Sequence, residues 1–368
     1  MRILLACDKF KGTLTAPEVH AALTPALTAA GHTVTAVPIA DGGDGTVAAA
    51  VSAGFTERTA QVSGPLGTPV TARWAERSGT AVIEMAEASG LALIDPDAES
   101  ALAASSSGTG ELIAAALDAG CTEIVLGVGG SATSDGGAGM LSALGIRFLD
   151  AAGDPIPPGG QGLERLDEVD TAGLHPVLRD GGAHIILASD VENPLTGPDG
   201  AAAVYGPQKG AGPAEVERLD RALAHFASLV PDGEHHAGRA GAGAAGGMGF
   251  GAFALLGAAS VPGADYVLDL VGFTRAVDEA DAVVTGEGRF DEQTLSGKGP
   301  GAVIAAARDR SLPVHVVCGS SEIAEERIAD LGIAGVHRMT DVADLDSCLS
   351  EPAGVLELLA PRLAEGMR

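Results

Sequence analysis

The sequence has 368 residues, of which 46% are hydrophobic, and a formal net charge of −27 at pH 7. At the usual ~100–200 residues per domain, this length predicts about two domains with a substantial core. The negative charge argues against nucleic acids and anionic membranes as general partners, because their phosphates would repel the chain. Four cysteines with neither metal-ligand spacing nor short-loop pairing predict reduced thiols in a cytoplasmic protein.

Two apolar stretches bear on whether the protein is exported or inserted into a membrane. Residues 3–7 are too few for the apolar region of an export signal. Residues 240–264 carry no charge but include eight glycines and one proline, whereas a membrane span needs about 20 mainly apolar residues. We therefore predict a glycine loop and a buried helix over residues 248–259, and no membrane span.

Strands and helices are predicted to alternate in the amino-terminal part. Residues 3–7 form a buried strand, and a helix capped by Thr15 follows and ends at Gly31. Residues 34–39 form the next strand, and residues 46–53 the next helix. This order is typical of a parallel sheet with right-handed crossovers.

The middle of the sequence has a different pattern. Residues 59–77 alternate between apolar and polar around a glycine turn at 64–67, which predicts an antiparallel hairpin. The further predicted elements are strand 81–85, helix 110–119, strand 123–128, helix 140–144, a strand ending at Asp150, strand 185–189 and helix 214–229.

The carboxyl-terminal part returns to alternating strands and helices. The predicted elements are strand 282–285, helix 302–310, strand 314–318, helix 323–331, strand 335–339 and helix 352–365. We expect the two ends of the chain to share one doubly wound parallel sheet, into which a mixed α/β domain is inserted. The expected boundaries are 1–60 with 275–368 for the doubly wound domain, and 61–274 for the insertion.

Glycine and lysine are unevenly distributed. The 53 glycines are about twice the usual ~7% share, and they cluster after strand-like runs, where the backbone must turn or approach a ligand closely. The chain has four lysines against eighteen arginines, and all four lie in glycine-punctuated segments. Chance is one explanation, and the other is that compact ammonium groups contact anions there.

Two glycine motifs resemble the dinucleotide-binding fingerprint. Residues 241–246 fit it literally, but no predicted strand precedes them, so the motif lacks its structural context. Residues 127–132, from Gly127 to Ala132, follow a predicted strand, and Asp150 stands about where a ribose ligand is expected. A nicotinamide-dependent oxidoreductase is therefore an alternative, although residues 133–137 delay the helix that should open on the pyrophosphate.

Five loops place acids or bases after predicted strands. Their polar residues are Asp8, Lys9 and Lys11; Asp41 and Asp44; Ser131, Thr133 and Asp135; Asp190 and Asn193; and Glu287, Arg289 and Asp291. Each acid alone is explained by a turn or a helix cap, but the carboxyl ends of parallel strands are where open α/β sheets bind ligands. Carboxylates beside lysines and backbone amides suit phosphoryl transfer with Mg²⁺ and an aspartate near the acceptor hydroxyl.

Seven blocks of the sequence resemble the bacterial class I glycerate kinase family. They are residues 8–13, 40–46 (ADGGDGT), 129–137 (GGSATSDGG), 189–195, 206–210, 241–247 and 285–298 (TGEGRFDEQTLSGK). The resemblance implies ATP-dependent phosphorylation of D-glycerate, usually to 2-phosphoglycerate, with Mg²⁺. It also implies a flavodoxin-like domain that carries an inserted domain similar to the restriction-endonuclease fold.

Roles follow for the candidate residues. Glycerate is expected in a cleft between the domains, with its carboxylate held by Arg289 or Lys9, and Asp190 is expected to accept the hydroxyl proton. Lys298 and Lys11 are expected to contact the phosphates, for which the amides of two glycine pairs form a cradle. The expected nucleotide-binding residues are Lys9, Lys11, Gly42, Gly43, Gly129, Gly130, Ser131, Lys209, Gly286 and Glu287. The Mg²⁺ candidates are Asp41, Asp44, Asp135 and Asp291.

The expected partners are the small molecules ATP and glycerate, with no nucleic acid and no membrane, and a homodimer is left open. A non-catalytic sensor of small phosphorylated acids is a further alternative, since it would keep the glycine cradles without turnover.

Overall fold

The computed structural model describes residues 1–40, 42–43, 45–292, 294–296 and 299–367. The strands are β1 Arg2–Cys7, β2 Thr33–Ala36, β3 Thr56–Ser63, β4 Pro69–Arg77, β5 Thr80–Glu84, β6 Glu123–Gly127, β7 Arg147–Asp150, β8 Leu166–Asp170, β9 His184–Ala188, β10 Ala259–Val261, β11 Ala282–Phe290, β12 Val314–Ser321 and β13 Ile333–Arg338.

The α-helices are α1 Ala16–Ala29, α2 Thr46–Ser52, α3 Ala86–Ser89, α4 Ala98–Ala103, α5 Ser107–Asp118, α6 Ala138–Ala143, α7 Pro176–Arg179, α8 Ala201–Tyr205, α9 Pro213–Leu229, α10 Gly233–Ala237, α11 Ala244–Leu256, α12 Gly263–Leu270, α13 Phe273–Asp278, α14 Pro300–Asp309, α15 Glu325–Asp330, α16 Leu345–Ser350 and α17 Pro352–Gly366. Short 3₁₀-helices cover Leu91–Leu93, Gly160–Arg165, Pro207–Lys209, Thr294–Ser296 and Met339–Asp341. In the part of the chain that the structure describes, no helix has the length and apolar character needed to cross a membrane.

The chain divides into two compact units. The terminal unit comprises Met1–Asp41, Ala48–Gly54 and Ala264–Arg368, and the central unit comprises Gly42–Val47 and Phe55–Gly263.

The terminal unit contains a five-stranded sheet in the order β13-β12-β11-β1-β2, and all of its strands are parallel. Alternate residues of β1 enter two different core clusters: Leu4 packs with α13 and α14, whereas Ile3 and Leu5 pack with α1 and α17. Helices therefore cover both faces of the sheet, which confirms the predicted doubly wound fold.

Helix α1 begins where the sequence predicts. The Thr15 hydroxyl accepts the Glu18 N–H, and the Glu18 carboxylate accepts the Thr15 N–H at 2.8 Å, which is the reciprocal capping box. The chain leaves the helix through Gly31 at φ +87°, a left-handed conformation that glycine adopts without steric cost.

The central unit contains a six-stranded mixed sheet in the order β10-β9-β6-β5-β4-β3. Strands β10, β9, β6 and β5 are parallel, and β4 and β3 complete the sheet as the predicted antiparallel hairpin. The turn is closed by the Gly64 N–H, which donates to the Thr68 carbonyl at 2.7 Å. The only tryptophan of the sequence, Trp74, is buried on β4 with 3% of its surface exposed. This mixed sheet confirms the predicted fold class of the middle segment.

Two elements differ from the sequence prediction in ways that affect candidate residues. Strand β11 was predicted to end at 285 but continues to Phe290, because it pairs with β12 through Ser321. Glu287 and Arg289 therefore lie within a strand rather than in the loop after it. Helix α11 begins at Ala244, four residues before the predicted start, although three of its residues have left-handed dihedral angles.

Candidate active site

In the terminal unit, the loop after β1 carries the first predicted basic residues. The Asp8 N–H donates to the Gly286 carbonyl on β11 at 2.9 Å, which places the start of the loop at the carboxyl edge of the sheet. The Asp8 carboxylate accepts the Lys9 N–H at 2.6 Å and lies 3.9 Å from the Lys9 ammonium. Lys11 is exposed and forms no ion pair within the described residues. Its ammonium is therefore accessible to an anionic ligand.

The end of β11 brings further candidates to the same edge. A Cβ at Gly286 would lie 1.9 Å from a carbonyl oxygen of β12, so only glycine fits there. Arg289 lies 2.7 Å from Glu322 and 3.4 Å from Asp291, and 60% of its side chain is exposed. The hydrogen bond to Glu322, followed by the Coulomb attraction of that carboxylate, raises the pKa of Arg289. A substrate carboxylate would compete with Glu322 for this guanidinium.

In the central unit, close backbone contacts hold the two predicted glycine pairs together. A Cβ at Gly42 would lie 2.8 Å from the Ala188 carbonyl oxygen, and one at Gly127 would lie 2.5 Å from the Gly42 oxygen. A Cβ at Gly129 would lie 2.5 Å from the Cα of Gly43. Side chains at these three positions would push the loops apart, which explains why glycine is required there. The turns at 42–43 and 129–130 thus lie side by side at the ends of β6 and β9.

Glu84, which belongs to none of the predicted loops, fixes the first of these turns. It is the last residue of β5 and is 5% exposed. Its carboxylate accepts the Gly45 N–H at 2.8 Å and the Val47 N–H at 3.0 Å, which satisfies donors at the start of α2. The available signal was the presence of an acid at the end of an otherwise apolar strand.

Lys209 is buried beneath the loop that follows Gly130. Its ammonium donates to the Ser131 hydroxyl at 2.9 Å and to the Thr133 carbonyl at 2.7 Å, and the residue is 1% exposed. Burial lowers the pKa of Lys209 to about 7, and the nearby Asp135 acts in the opposite direction. The structure thus brings three of the predicted polar residues together.

Asp135 holds the same loop from inside. Its carboxylate accepts the Ser106 N–H and hydroxyl, each at 2.8 Å, the Gly137 N–H at 3.1 Å and the Gly139 N–H at 3.2 Å. Burial raises the pKa of Asp135, and these hydrogen bonds act to lower it. Since its oxygens already accept four donors and the residue is fully buried, Asp135 fits a structural anchor and does not fit a magnesium ligand. Ser106, its main partner, was missed because a lone serine gives no pattern.

The glycine-rich segment after α10 packs against this loop. Ala245, Gly246 and Gly247 have left-handed dihedral angles, and a Cβ at Gly246 would lie 1.9 Å from the Thr133 carbonyl oxygen. No strand precedes this segment, as predicted, since the element before it is helix α10. Its glycines serve backbone-to-backbone packing rather than a dinucleotide fingerprint.

Asp190 lies two residues after β9. One oxygen of its carboxylate accepts the Gly263 N–H at 2.8 Å, and the residue is half-buried. The loop after it is fixed by Asn193, whose side-chain oxygen accepts the Tyr205 hydroxyl at 2.7 Å and whose nitrogen donates to the Asp199 carbonyl at 2.8 Å. These contacts orient the loop that carries Asp190.

Three predicted site residues, Asp41, Asp44 and Lys298, lie outside the described residues. Among the residues that are described, no cluster of three or more histidine, cysteine, aspartate or glutamate side chains is placed to hold a metal ion.

The oxidoreductase alternative does not match the geometry. Helix α6 begins only at Ala138, and Asp150 lies on β7, which pairs with β8 in a separate two-stranded sheet. The Asp150 carboxylate accepts the N–H groups of Ala152 and Asp154 and contacts Arg165 at 2.8 Å. It therefore stabilises a turn.

Comparisons with known proteins agree with the family resemblance of the seven sequence blocks. The glycerate kinase family matches residues 3–368. The chain is 42% identical to a glycerate kinase of Bacillus subtilis, covering 100% of this chain and 98% of the relative. It is 43% identical to a glycerate 2-kinase of Escherichia coli, covering 87% and 85% respectively.

A solved structure also supports the assignment to this family. A chain named glycerate kinase 2 from Salmonella typhimurium is 41% identical and superimposes with a TM-score of 0.85, covering 100% of this chain and 98% of that one. By sequence and by structure, the protein belongs to the glycerate kinase family.

Proposed function

We propose that the protein transfers the γ-phosphoryl group of ATP to a hydroxyl of D-glycerate and gives 2-phosphoglycerate. The observation that carries this proposal is the contact between the glycine cradle and Asp190. A Cβ at Gly42 would lie 3.3 Å from the Cα of Gly263, and the Gly263 N–H donates to Asp190 at 2.8 Å. Amide donors for a phosphoryl group and a carboxylate for a hydroxyl proton are thus adjacent in one unit.

The proposed step needs one proton acceptor and one set of amide donors. The glycerate hydroxyl oxygen forms a bond to the γ-phosphorus, while the bond from that phosphorus to the bridging oxygen of ADP breaks. The hydroxyl proton passes to the Asp190 carboxylate. The amides of the turns at 42–43 and 129–130, with the Ser131 hydroxyl, stabilise the negative charge on the phosphoryl oxygens.

Magnesium enters the proposed reaction as part of the MgATP substrate. One or two carboxylates suffice to hold it together with phosphates and waters. We propose Asp291, Asp41 and Asp44 for this role, of which Asp291 is the one that the structure describes.

We propose that basic residues of the terminal unit bind the anionic groups of the two substrates. We assign Lys11 and Lys298 to the phosphates and either Lys9 or Arg289 to the glycerate carboxylate, with Gly286 and Glu287 beside the nucleotide. The exposed ammonium of Lys11 supports its assignment. Arg289 has to exchange Glu322 for the substrate, and Lys9 has to leave the vicinity of Asp8.

An ATP-consumption assay across small hydroxy acids, with ³¹P NMR of the product, tests the function. We expect consumption with D-glycerate above that with L-glycerate, glycolate or lactate, and a product phosphorylated at the 2-position. A 3-phosphate product would contradict the regiochemistry, and no consumption would contradict the activity. Asp190→Asn should lower kcat by at least about 100-fold if the carboxylate takes the proton, and an unchanged kcat would remove Asp190 from that role.

The proposed activity also bears on the sensor alternative, the location and the partners. An enzyme of this family is not the non-catalytic sensor considered above. We propose a cytoplasmic location, supported by four cysteines that are free and buried. Small molecules are the proposed partners, and light scattering would establish whether the protein forms a homodimer.

A further inference from the structure

Lys209 occupies a position that is unusual for a charged side chain. It is the last residue of a short 3₁₀-helix and one of the largest fully buried side chains in the protein. The next residue, Gly210, has φ +95°, and a Cβ there would lie 2.5 Å from the backbone of Asp97. The backbone on the carboxyl side of Lys209 is therefore closely packed, which limits how far the lysine can move. A buried ammonium costs free energy unless hydrogen bonds and charges compensate it.

The contacts of Lys209 are directed at one loop. Its ammonium donates to Ser131 and Thr133 at 2.9 and 2.7 Å, and within the described residues it makes no ion pair at 4.0 Å or less. The Thr133 carbonyl oxygen also faces Gly246, where a Cβ would lie 1.9 Å away. This carbonyl is thus held between the ammonium on one side and the glycine backbone on the other. Two of the three donors of the ammonium are thus used within this loop, and its burial shields the ammonium from a ligand in solution.

The bond to Ser131 determines what the hydroxyl of Ser131 can do. A hydroxyl has one proton to donate and two lone pairs that accept. Because its oxygen accepts from Lys209, its proton is left to be donated to another group. Ser131 keeps 8% of its surface exposed, whereas Lys209 keeps 1%. Ser131 is therefore the more exposed residue of the pair, and Lys209 lies beneath it.

We propose that Lys209 is a positioning residue, which turns the Ser131 hydroxyl into an oriented hydrogen-bond donor for a phosphate oxygen of the nucleotide. This inference rests on the proposed function, and it replaces the sequence expectation that Lys209 contacts the nucleotide itself. The ammonium polarises the Ser131 hydroxyl, and this strengthens the hydrogen bond from that hydroxyl to the phosphate.

A double-mutant cycle with Lys209→Met and Ser131→Ala tests this proposal. Each single variant should raise the KM for ATP by about tenfold or more, the loss expected for a hydrogen bond to a charged group. The double variant should raise it no further than the larger single effect, because both changes remove the same bond. The KM for glycerate should stay within about twofold, a split that a general loss of structure would not produce.

Ser134→Ala is the matched control. The Ser134 hydroxyl lies in the same loop, is buried and has no hydrogen-bond partner among the described residues. Its removal should leave the KM for ATP unchanged. Lys209→Arg should not restore the wild-type value, because a planar guanidinium does not fit the site of a compact ammonium.

Several results would overturn the proposal. They are additive effects of the two substitutions, a rise in the KM for glycerate alone, or a Ser131→Ala variant with a normal KM for ATP. The last result is decisive even if Lys209→Met fails to fold. If the wild type consumed no ATP with glycerate, the proposed function would fail, but equilibrium dialysis of ATP against the same four proteins would still measure the coupling.

Discussion

The two units hold their candidate residues in different ways. In the terminal unit Arg289 is exposed and paired with the exposed Glu322, and Lys9 lies beside the Asp8 carboxylate in a half-buried pair. In the central unit Lys209 and Asp135 are fully buried and are satisfied by hydroxyls and backbone groups. The terminal-unit groups and Asp135 lie at or after the carboxyl ends of parallel strands, whereas Lys209 reaches the loop after β6 from a 3₁₀-helix. The comparison shows that the strand-end position indicates where a site lies and not how rigidly it is held.

The difference has an energetic basis. Exposed ion pairs are screened by water and contribute little, typically about 0–1 kcal/mol. Buried polar networks contribute more when complete, because any member left without its partner cannot turn to water instead. We therefore expect the removal of one of these polar side chains to lower the free energy of unfolding more in the central unit than in the terminal unit.

The largest effect is expected for Asp135→Ala. Removing the carboxylate leaves the buried N–H groups of Ser106, Gly137 and Gly139 without their acceptor, and leaves Lys209 without its nearby opposite charge. The free energy of unfolding, measured by circular dichroism in urea, should fall by about 4 kcal/mol.

Asp97→Ala is the control for this prediction. Asp97 also accepts a helix N–H, that of Ser100 at 2.7 Å, but it is exposed at the start of α4. Its loss should cost about 1 kcal/mol, as for other helix caps. Equal losses for the two variants would mean that burial does not distinguish these carboxylates.

An intermediate effect is expected from a buried histidine of the terminal unit. His20 is 4% exposed, and its Nε2 accepts the Cys7 N–H at 3.0 Å, so the ring must be neutral. Burial lowers the pKa of His20 to about 4. The unfolded chain therefore binds the proton first, and stability is lost as pH falls from the unfolded pKa of about 6.5 toward 4.

The loss attributable to His20 should reach about 2 kcal/mol by about pH 5, relative to pH 8. His20→Gln should remove this part of the slope in urea titrations across pH. His337, with its pKa lowered by burial to about 4, titrates in the same window and should leave a residual slope. A His20→Gln profile parallel to the wild type would contradict the assignment.

The smallest effect on stability is expected for Arg289→Ala. Its ion pairs are exposed, so the free energy of unfolding should change by less than about 1 kcal/mol. If Arg289 holds the glycerate carboxylate, the KM for glycerate should rise by about tenfold or more, and Glu322→Ala should lower it by freeing the guanidinium. Unchanged values for both variants would leave Lys9 as the carboxylate ligand.

The sequence predicted the fold well where periodicity is strong. The β3–β4 hairpin, the capped helix α1 and the alternating carboxyl-terminal elements lie where the patterns placed them. Helices of four to six residues, such as α3, α7 and α16, were missed because they are too short to show a helical period.

For the candidate site, the sequence indicated which loops matter but not what each side chain does. The glycine pairs at 42–43 and 129–130 were recognisable because close backbone contacts demand glycine. Lys209 and Asp135 were recognisable as polar residues near glycines, yet their burial depends on distant segments. No local pattern shows that an aspartate accepts four donors and so becomes an anchor.

The position of Trp74 has a practical consequence. Because the chain has one tryptophan, and that indole is enclosed in the central sheet, intrinsic emission is a spectroscopic label confined to the central unit. A denaturation curve followed at tryptophan wavelengths, set against one followed by far-ultraviolet ellipticity, would reveal whether the halves of this protein melt together or in succession.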